Sequence, residues 1–217
     1  MFPPQPIKTL VQCDFDGTIT EEDVSFLLLD IFAQGDWRRL LQEYKGRKIS
    51  VGYFNTKAFA MVKADKQTLL QPIKSKAKMR AGLHELVDCC LKRNFRLVIV
   101  SNGLDFYIKA MLEDVGLEKL EVHAAQTQFY PEGLEVQYIG PNGKELNDSI
   151  KEAYIKLFIK QGYKVIYVGN GDSDIVPAKY AQQVFARDEL LSRCKENNLE
   201  YKPFENLTDV VRELEFL

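Results

Sequence analysis

Three short apolar runs, each ending in a polar turn, constrain this chain more than any other feature. Residues 7–15 (IKTLVQCDF) run into Asp16-Gly17-Thr18, residues 95–101 (FRLVIVS) into Asn102-Gly103, and residues 163–169 (YKVIYVG) into Asn170-Gly171. A shorter run, 182–187 (QQVFAR), repeats the theme. Between them lie helical patterns over 82–93, 104–114, 149–161 and 174–181. Apolar runs of strand length, separated by helices, predict βαβ units in an open α/β fold with a Rossmann-like parallel sheet. Right-handed crossovers follow as the default. Ligands of such sheets bind outside the carboxyl ends of the strands.

Two segments break the alternation. Residues 21–78 carry several short helical patterns and no convincing strand, which predicts an inserted helical cap. Residues 119–147 carry two β-like runs, near 121–130 and 134–139, around Pro131-Glu132-Gly133, with a further turn at Gly140-Pro141-Asn142-Gly143. They predict a small β-hairpin insertion. Residues 206–215 form a short amphipathic helix. The expected division is a core of 1–20 and 79–217 with a cap of 21–78. A chain of 217 residues, 46% hydrophobic, can bury one such core with a small accessory unit.

Lys and Arg total 29 against 31 Asp and Glu, a net charge of −2, so no nucleic-acid partner is expected. Apolar stretches are too short to span a bilayer, so no membrane partner is expected either. The N-terminus, MFPPQPIKT, does not have the pattern of a signal peptide. Cys13, Cys89, Cys90 and Cys194 fit neither a disulfide framework nor a CxxC metal site, which points to a reducing, cytoplasmic compartment.

The residues after each strand carry the chemistry. If the three strands are neighbours, Asp14 and Asp16, Ser101 with Asn102-Gly103, and Gly169-Asn170-Gly171-Asp172-Ser173-Asp174 converge on one rim, joined by Lys151 from helix 149–161. Asp14 can act as a nucleophile on phosphorus. Carboxylates at such a rim suit a hard cation such as Mg²⁺. Ser101 can donate to a phosphate oxygen and Lys151 supplies positive charge. Backbone N–H groups of the Asp16-Gly17 and Asn102-Gly103 turns can form an anion nest.

DFDGT at 14–18, the apolar run into Ser101, Lys151, and GNGDSD at 169–174 resemble, in order and spacing, the four motifs of haloacid dehalogenase (HAD) superfamily phosphatases. The resemblance covers residues 7–20 and 79–190. The cap position resembles the phosphoserine phosphatase branch. IVSNGLDFYIKAMLE at 99–113 and VFARDELLSRC at 184–194 resemble, more narrowly, methionine-salvage phosphatases acting on a hydroxyketo-methylthiopentenyl phosphate. The resemblance implies Mg²⁺-dependent hydrolysis of a small phosphate ester. Asp14 would become phosphorylated and ligate the metal. Asp16 would protonate the leaving alcohol, then activate water, while its carbonyl ligates the metal. Ser101 and Lys151 would hold the phosphoryl group. Asn170 would ligate the metal and Asp174 would sit in its outer shell. Phe15, Thr18, Asp23, Asn102 and Gly103 are the expected substrate-side residues, with Thr18 supporting the loop. One departure stands out. The family usually carries Asp where this chain has Asn170, so weaker metal binding is expected, with Asp172 as a candidate compensator.

Simpler roles compete for some residues. Asp172 and Asp174 could cap the helix that follows them. Asp23 reads equally as a substrate contact and as part of a helix start. Trp37, Tyr44, Tyr53 and Phe54 are expected to pack within the cap, some of them facing the cleft, and Arg47 and Lys57 are candidates to meet a second charged group. His84 and His123 are expected to be structural or exposed. Competing functions are dehalogenation, which Asp16 and the acidic fourth motif oppose, phosphoryl transfer as in a mutase, and a non-catalytic phosphometabolite-binding protein, which Asn170 motivates. A monomer and a homodimer are both compatible with the sequence.

Overall fold

The computed structural model describes residues 8–148 and 150–217. The beginnings of the predicted strand at residue 7 and of the predicted helix at Ser149 lie outside the described residues, as do residues 1–6 of the expected core. The chain begins with β1 (Lys8–Cys13), followed by four helices: α1 (Val24–Phe32), α2 (Trp37–Lys45), α3 (Val51–Phe59) and α4 (Lys66–Lys76). Then come α5 (Leu83–Lys92), β2 (Arg96–Leu104), α6 (Asp105–Asp114), β3 (Glu121–Tyr130), β4 (Gly133–Ile139) and β5 (Glu145–Leu146). The remainder is α7 (Ile150–Lys160), β6 (Tyr163–Gly169), α8 (Ile175–Ala178), β7 (Gln183–Ala186), α9 (Asp188–Glu196), β8 (Lys202–Pro203) and α10 (Leu207–Leu214).

The sheet runs β5-β4-β3-β2-β1-β6-β7-β8. All pairs from β3 to β8 are parallel, and β4 and β5 add antiparallel. β1 is central for a physical reason. Leu10, Val11, Gln12 and Cys13 are all fully buried, so both of its faces are covered. The chain leaves β1 toward β2 and β3, then returns to its other side through β6 and β7. The direction of winding therefore switches beside β1, where open α/β sheets bind ligands.

The predicted hairpin exists, but its first arm is part of the sheet. Val98–Val100 of β2 pair in parallel with Glu121–His123 of β3, before β3 turns back on β4. β2 also runs beyond Ser101, with a register shift between Val100 and Leu104. The 174–181 pattern resolves into a 3₁₀ turn, Asp172–Asp174, and the four-residue α8.

Residues 21–78 hold α1 to α4. Each helix starts at an Asp or Ser whose side chain accepts an N–H of its first turn: Asp23 from Phe26, Asp36 from Arg39, Ser50 from Tyr53 and Asp65 from Thr68. Caps of this kind stabilise a helix by about 1 kcal/mol each. A Thr20–Met79 bridge draws the two ends of the segment together. α3 is tied to the sheet. The buried Asn55 donates to the Asn102 carbonyl at 3.1 Å and bonds the Tyr138 hydroxyl of β4 at 2.5 Å, and Tyr138 itself donates to the Asn102 carbonyl at 2.7 Å.

Candidate active site

The parallel pairing brings the carboxyl ends of β1, β2 and β6 to one edge, and the predicted polar residues gather there. A cavity of about 310 Å³ opens above them, within the range of small-molecule sites. Asp14, Asp16, Asp23, Ser101, Asn102, Gly103, Lys151 and Asn170 all line it. Phe15 and Thr18 do not; both are fully buried beneath it. Phe15 can meet a ligand only through its backbone. The Thr18 hydroxyl donates to Asn170 Oδ1 at 2.9 Å.

Lys151 is the electrostatic centre, 2% exposed. Its Nζ lies 2.9 Å from Asp14 Oδ1 and 2.7 Å from Asp174 Oδ1, with Ser173 Oγ at 3.2 Å. The Asp14 contact is a buried ion pair, with both side chains almost wholly removed from solvent. Burial works to lower the Lys151 pKa, but Asp14 and Asp174 outweigh it and the ammonium is held charged. Asp174 is saturated. Its Oδ1 also accepts from Tyr167 at 2.6 Å, and its Oδ2 accepts from the N–H groups of Asn170 and Gly171 at 3.0 and 2.8 Å. It orients Lys151 and the Asn170 loop at once; it does not cap α8, because its side chain accepts from the N–H groups that precede it and from none of that helix.

Asp14 and Asp16 both sit where a carboxylate titrates late. Burial, then Asp174, raises Asp14 to about 7 against the pull of Lys151. Burial, then Asp23, raises Asp16 to about 7, opposed by hydrogen bonds from Tyr107 and Ser25. These donors reach Asp16 Oδ2, Ser25 at 3.1 Å and Tyr107 in a short bond, while Asp16 Oδ1 is buried with no partner among the described residues. Asp23 takes both roles left open by the sequence. It caps α1 and it faces the cavity, with burial raising it to about 6.

The expected anion nest is only partly available. The Gly17 N–H is taken by Glu22 O and Thr20 Oγ1, and the Gly103 N–H by Ser101 Oγ at 3.0 Å. Because Ser101 Oγ accepts that bond, its own proton is free for a ligand. Both polar atoms of the Asn102 side chain are buried without partners among the described residues.

A hard divalent cation needs oxygen ligands, and the rim supplies them. Asp14 brings a buried carboxylate paired to Lys151, the Asp16 carbonyl accepts no hydrogen bond among the described residues, and Asn170, whose amide oxygen accepts from Thr18, lines the same cavity. No group of three His, Cys, Asp or Glu forms a cluster among the described residues. Few protein ligands suit Mg²⁺, which retains waters and takes substrate phosphate oxygens. The residues present therefore fit such a cation. Asp172 does not compensate for Asn170, because Arg193 of α9 holds its Oδ1 at 2.5 Å.

Tyr44 and Phe54 stack at 5.7 Å and face the cavity, whereas Tyr53 is exposed and Trp37 packs on Phe26. Arg47 and Lys57 lie elsewhere; the cationic cap residue at the cavity is Lys45, 4.0 Å from Glu189. His84 is exposed and His123 stacks on Tyr154. One residue that sequence reasoning missed is Arg80, 7% exposed, which donates to the carbonyls of Gly17, Thr18, Thr20 and Glu205. It braces the loop behind Asp14 and Asp16 while lying outside the cavity. Its acceptors are main-chain oxygens, so no residue spacing betrays it.

A family model described as haloacid dehalogenase-like hydrolase matches residues 11–178. A relative from Bacillus mycoides (strain KBAB4), named 2-hydroxy-3-keto-5-methylthiopentenyl-1-phosphate phosphatase, is 29% identical over 95% of this chain and 96% of its own. One of the same name from Bacillus pumilus (strain SAFR-032) is 27% identical over 94% of this chain and 89% of its own. Among solved structures, one titled a phospho-aspartyl intermediate analogue of phosphoserine phosphatase superposes with TM-score 0.71 at 16% identity, over 95% of this chain and 99% of that one. At that identity the likeness establishes the fold alone.

Proposed function

We propose that this chain, which belongs to the haloacid dehalogenase-like hydrolase family, hydrolyses a small phosphomonoester by way of a phosphorylated Asp14. The observation that carries this reading is the placing, in one cavity, of Asp14 against a buried Lys151 and of Asp16 with one unpartnered carboxylate oxygen. The proposed cation is Mg²⁺, held by Asp14, the Asp16 carbonyl and Asn170, with Asp174 behind them. When bound, it would supply the positive charge that keeps Asp14 ionised despite its burial and neutralises the phosphate it must approach.

In the first step an Asp14 oxygen attacks phosphorus and the bond to the ester oxygen breaks. The departing oxygen takes its proton from Asp16. In the second step water attacks the phosphoaspartate and loses its proton to Asp16, and the bond from Asp14 to phosphorus breaks. Lys151 neutralises charge on Asp14 and on the phosphoryl group throughout, and the Ser101 hydroxyl donates to a phosphoryl oxygen. Residues 21–78 act as a cap that shields this chemistry from bulk water.

The cavity lining favours one kind of leaving group. Phe26, Leu41, Tyr44, Val51 and Phe54 form an apolar wall, while Asp23, Asp172, Asp188 and Glu189 surround the rest. Asp172, Asp188 and Glu189 have Arg193, Arg187 and Lys45 as partners, and Lys151 is engaged by Asp14 and Asp174, so a second anion on the substrate, such as the carboxylate of phosphoserine, would meet Asp23 with no cation set aside for it among the described residues. A neutral leaving group with an apolar end suits the wall, and its hydroxyl or keto oxygens suit the unpartnered Asn102 amide. The substrate in the Bacillus relatives' name has those features, and a methionine-salvage ester of that kind is the proposed substrate.

Phosphate release from a panel of small phosphomonoesters, with and without Mg²⁺ and with Asp14→Asn as control, tests the reading. Mg²⁺-dependent release that disappears in the control is expected, with the methylthio ester ahead of phosphoserine. Binding of phosphate esters by folded protein without any release would favour a non-catalytic binding protein, to which Asn170 already lends some weight.

A further inference from the structure

Asp16 is held from one side only. Its Oδ2 receives the Tyr107 hydroxyl of α6 and, at 3.1 Å, the Ser25 hydroxyl of α1; the two hydroxyl oxygens are themselves 2.9 Å apart. Tyr107 is fully buried and Ser25 is 8% exposed. Gly103 makes room for this arrangement, since a Cβ there would overlap both the Tyr107 hydroxyl and Asp16 Oδ2. Asp16 Oδ1, in contrast, has no partner among the described residues.

A carboxyl group that both gives and takes a proton has two oxygens that could carry it. Here one oxygen is already supplied with a donated proton from Tyr107, so a proton of Asp16 itself belongs on the other. We propose that Tyr107 and Ser25 are positioning residues that dedicate Asp16 Oδ1 to proton exchange with the leaving alcohol. This inference rests on the phosphatase reading. It adds two residues, from α1 and α6, to the machinery of the first step, although Tyr107 does not line the cavity.

Leaving-group dependence separates this role from general structural support. Butyl phosphate needs a proton delivered as its bond to phosphorus breaks, whereas p-nitrophenolate departs without one. The parameter to measure is kcat/KM, which reports steps through phosphorylation of Asp14, in the full chain with Mg²⁺. Tyr107→Phe keeps the ring and removes only the hydroxyl. It is expected to lower kcat/KM for butyl phosphate about tenfold and for p-nitrophenyl phosphate less than about twofold, a modest part of what general acid catalysis supplies. Ser25→Ala should show the same bias more weakly. Because the two hydroxyls touch, their effects should not add. Equal losses on the two esters, or no loss on either, would overturn the proposal. Failure of the underlying reading has a separate signature, namely no phosphate release from either ester by the native chain, or full release by Asp14→Asn. In that event crystal structures of the native and Tyr107→Phe proteins decide the positioning claim. A rotated Asp16 carboxylate supports it and an unmoved one overturns it.

Discussion

Replacing Asn170 by Asp adds a carboxylate at the proposed metal position, and the structure makes the result calculable. Asn170 Oδ1 accepts from Thr18, a bond that an Asp oxygen can keep. Its Nδ2 rests against Gly17, where a Cβ would collide with it, and donates to no protein group among the described residues. The exchange is therefore isosteric and breaks no hydrogen bond, so its effect is electrostatic. A unit charge about 4 Å from a divalent cation, at an effective dielectric of about 20, gains roughly 8 kcal/mol before desolvation and repulsion from Asp14 are subtracted. A surviving tenth to third of that, about 1–3 kcal/mol, tightens the Mg²⁺ half-saturation roughly ten- to a hundredfold. Without the cation the sign reverses, because the new carboxylate joins Asp14 and Asp16 in a buried, acidic corner. Mg²⁺ titration of phosphate release and thermal melting with and without Mg²⁺ read both effects. The expected pattern is a lower half-saturation, a lower melting temperature without metal and a larger rise with it. An unchanged half-saturation together with an unchanged metal-free melting temperature would remove Asn170 from the metal site.

Other outcomes follow from the same geometry. Lys151→Met leaves the buried Asp14 and Asp174 without their shared counter-ion, so it should abolish turnover and destabilise the fold by about 3–5 kcal/mol, read as a fall of roughly 10 °C in Tm for a chain of this size. Arg80→Ala removes the donor to three carbonyls of the catalytic loop and should lose about 2–4 kcal/mol of stability, with kcat falling more than KM rises. Asp16 must be protonated to act as an acid, and burial holds its carboxyl above the usual carboxylate range, so kcat/KM for an alkyl ester should fall with rising pH as Asp16 ionises; a profile level to pH 9 would contradict the assignment. Gly103→Ala should displace Asp16 and Tyr107 and cut kcat about a hundredfold or more, while a variant with native kcat would show that the Asp16–Tyr107 contact is dispensable.

The strand ends were legible because burial on both faces leaves a continuous apolar run, and a turn residue marks where it stops. That logic located Asp14, Ser101 and Asn170. It could not say that β1 is central, which is what turns three strand ends into one site. β3 was harder to place. Its residues are mostly half-buried, without the continuous apolar signature of β1 and β6, so it looked like an insertion although it extends the parallel sheet. α9 and β8 were not singled out; α9 is mostly polar and β8 has only two residues, too few for any periodicity. The engagement of Asp172 by Arg193 is similar, since 21 residues of chain separate two side chains that meet only through the packing of α9. Tyr107 read as one apolar position of a helix, and nothing in a linear pattern distinguishes a core tyrosine from one whose hydroxyl reaches a working carboxylate.

The hydrogen bonds that join α3 to the sheet have a consequence for entry and exit. Asn55 and Tyr138 share the Asn102 carbonyl, so the floor of the cavity and the third cap helix form one piece. Any widening that admits an ester is then left to the opposite wall, where α2 faces α9 and, among the described residues, the ion pair across the cleft is the 4.0 Å approach of Lys45 to Glu189. A doorway with a fixed jamb and one loose leaf filters by what the leaf can accommodate. Leu41, Tyr44 and Lys45 on that leaf are therefore where a change of ester preference can be introduced without disturbing the groups proposed to break the phosphate bond.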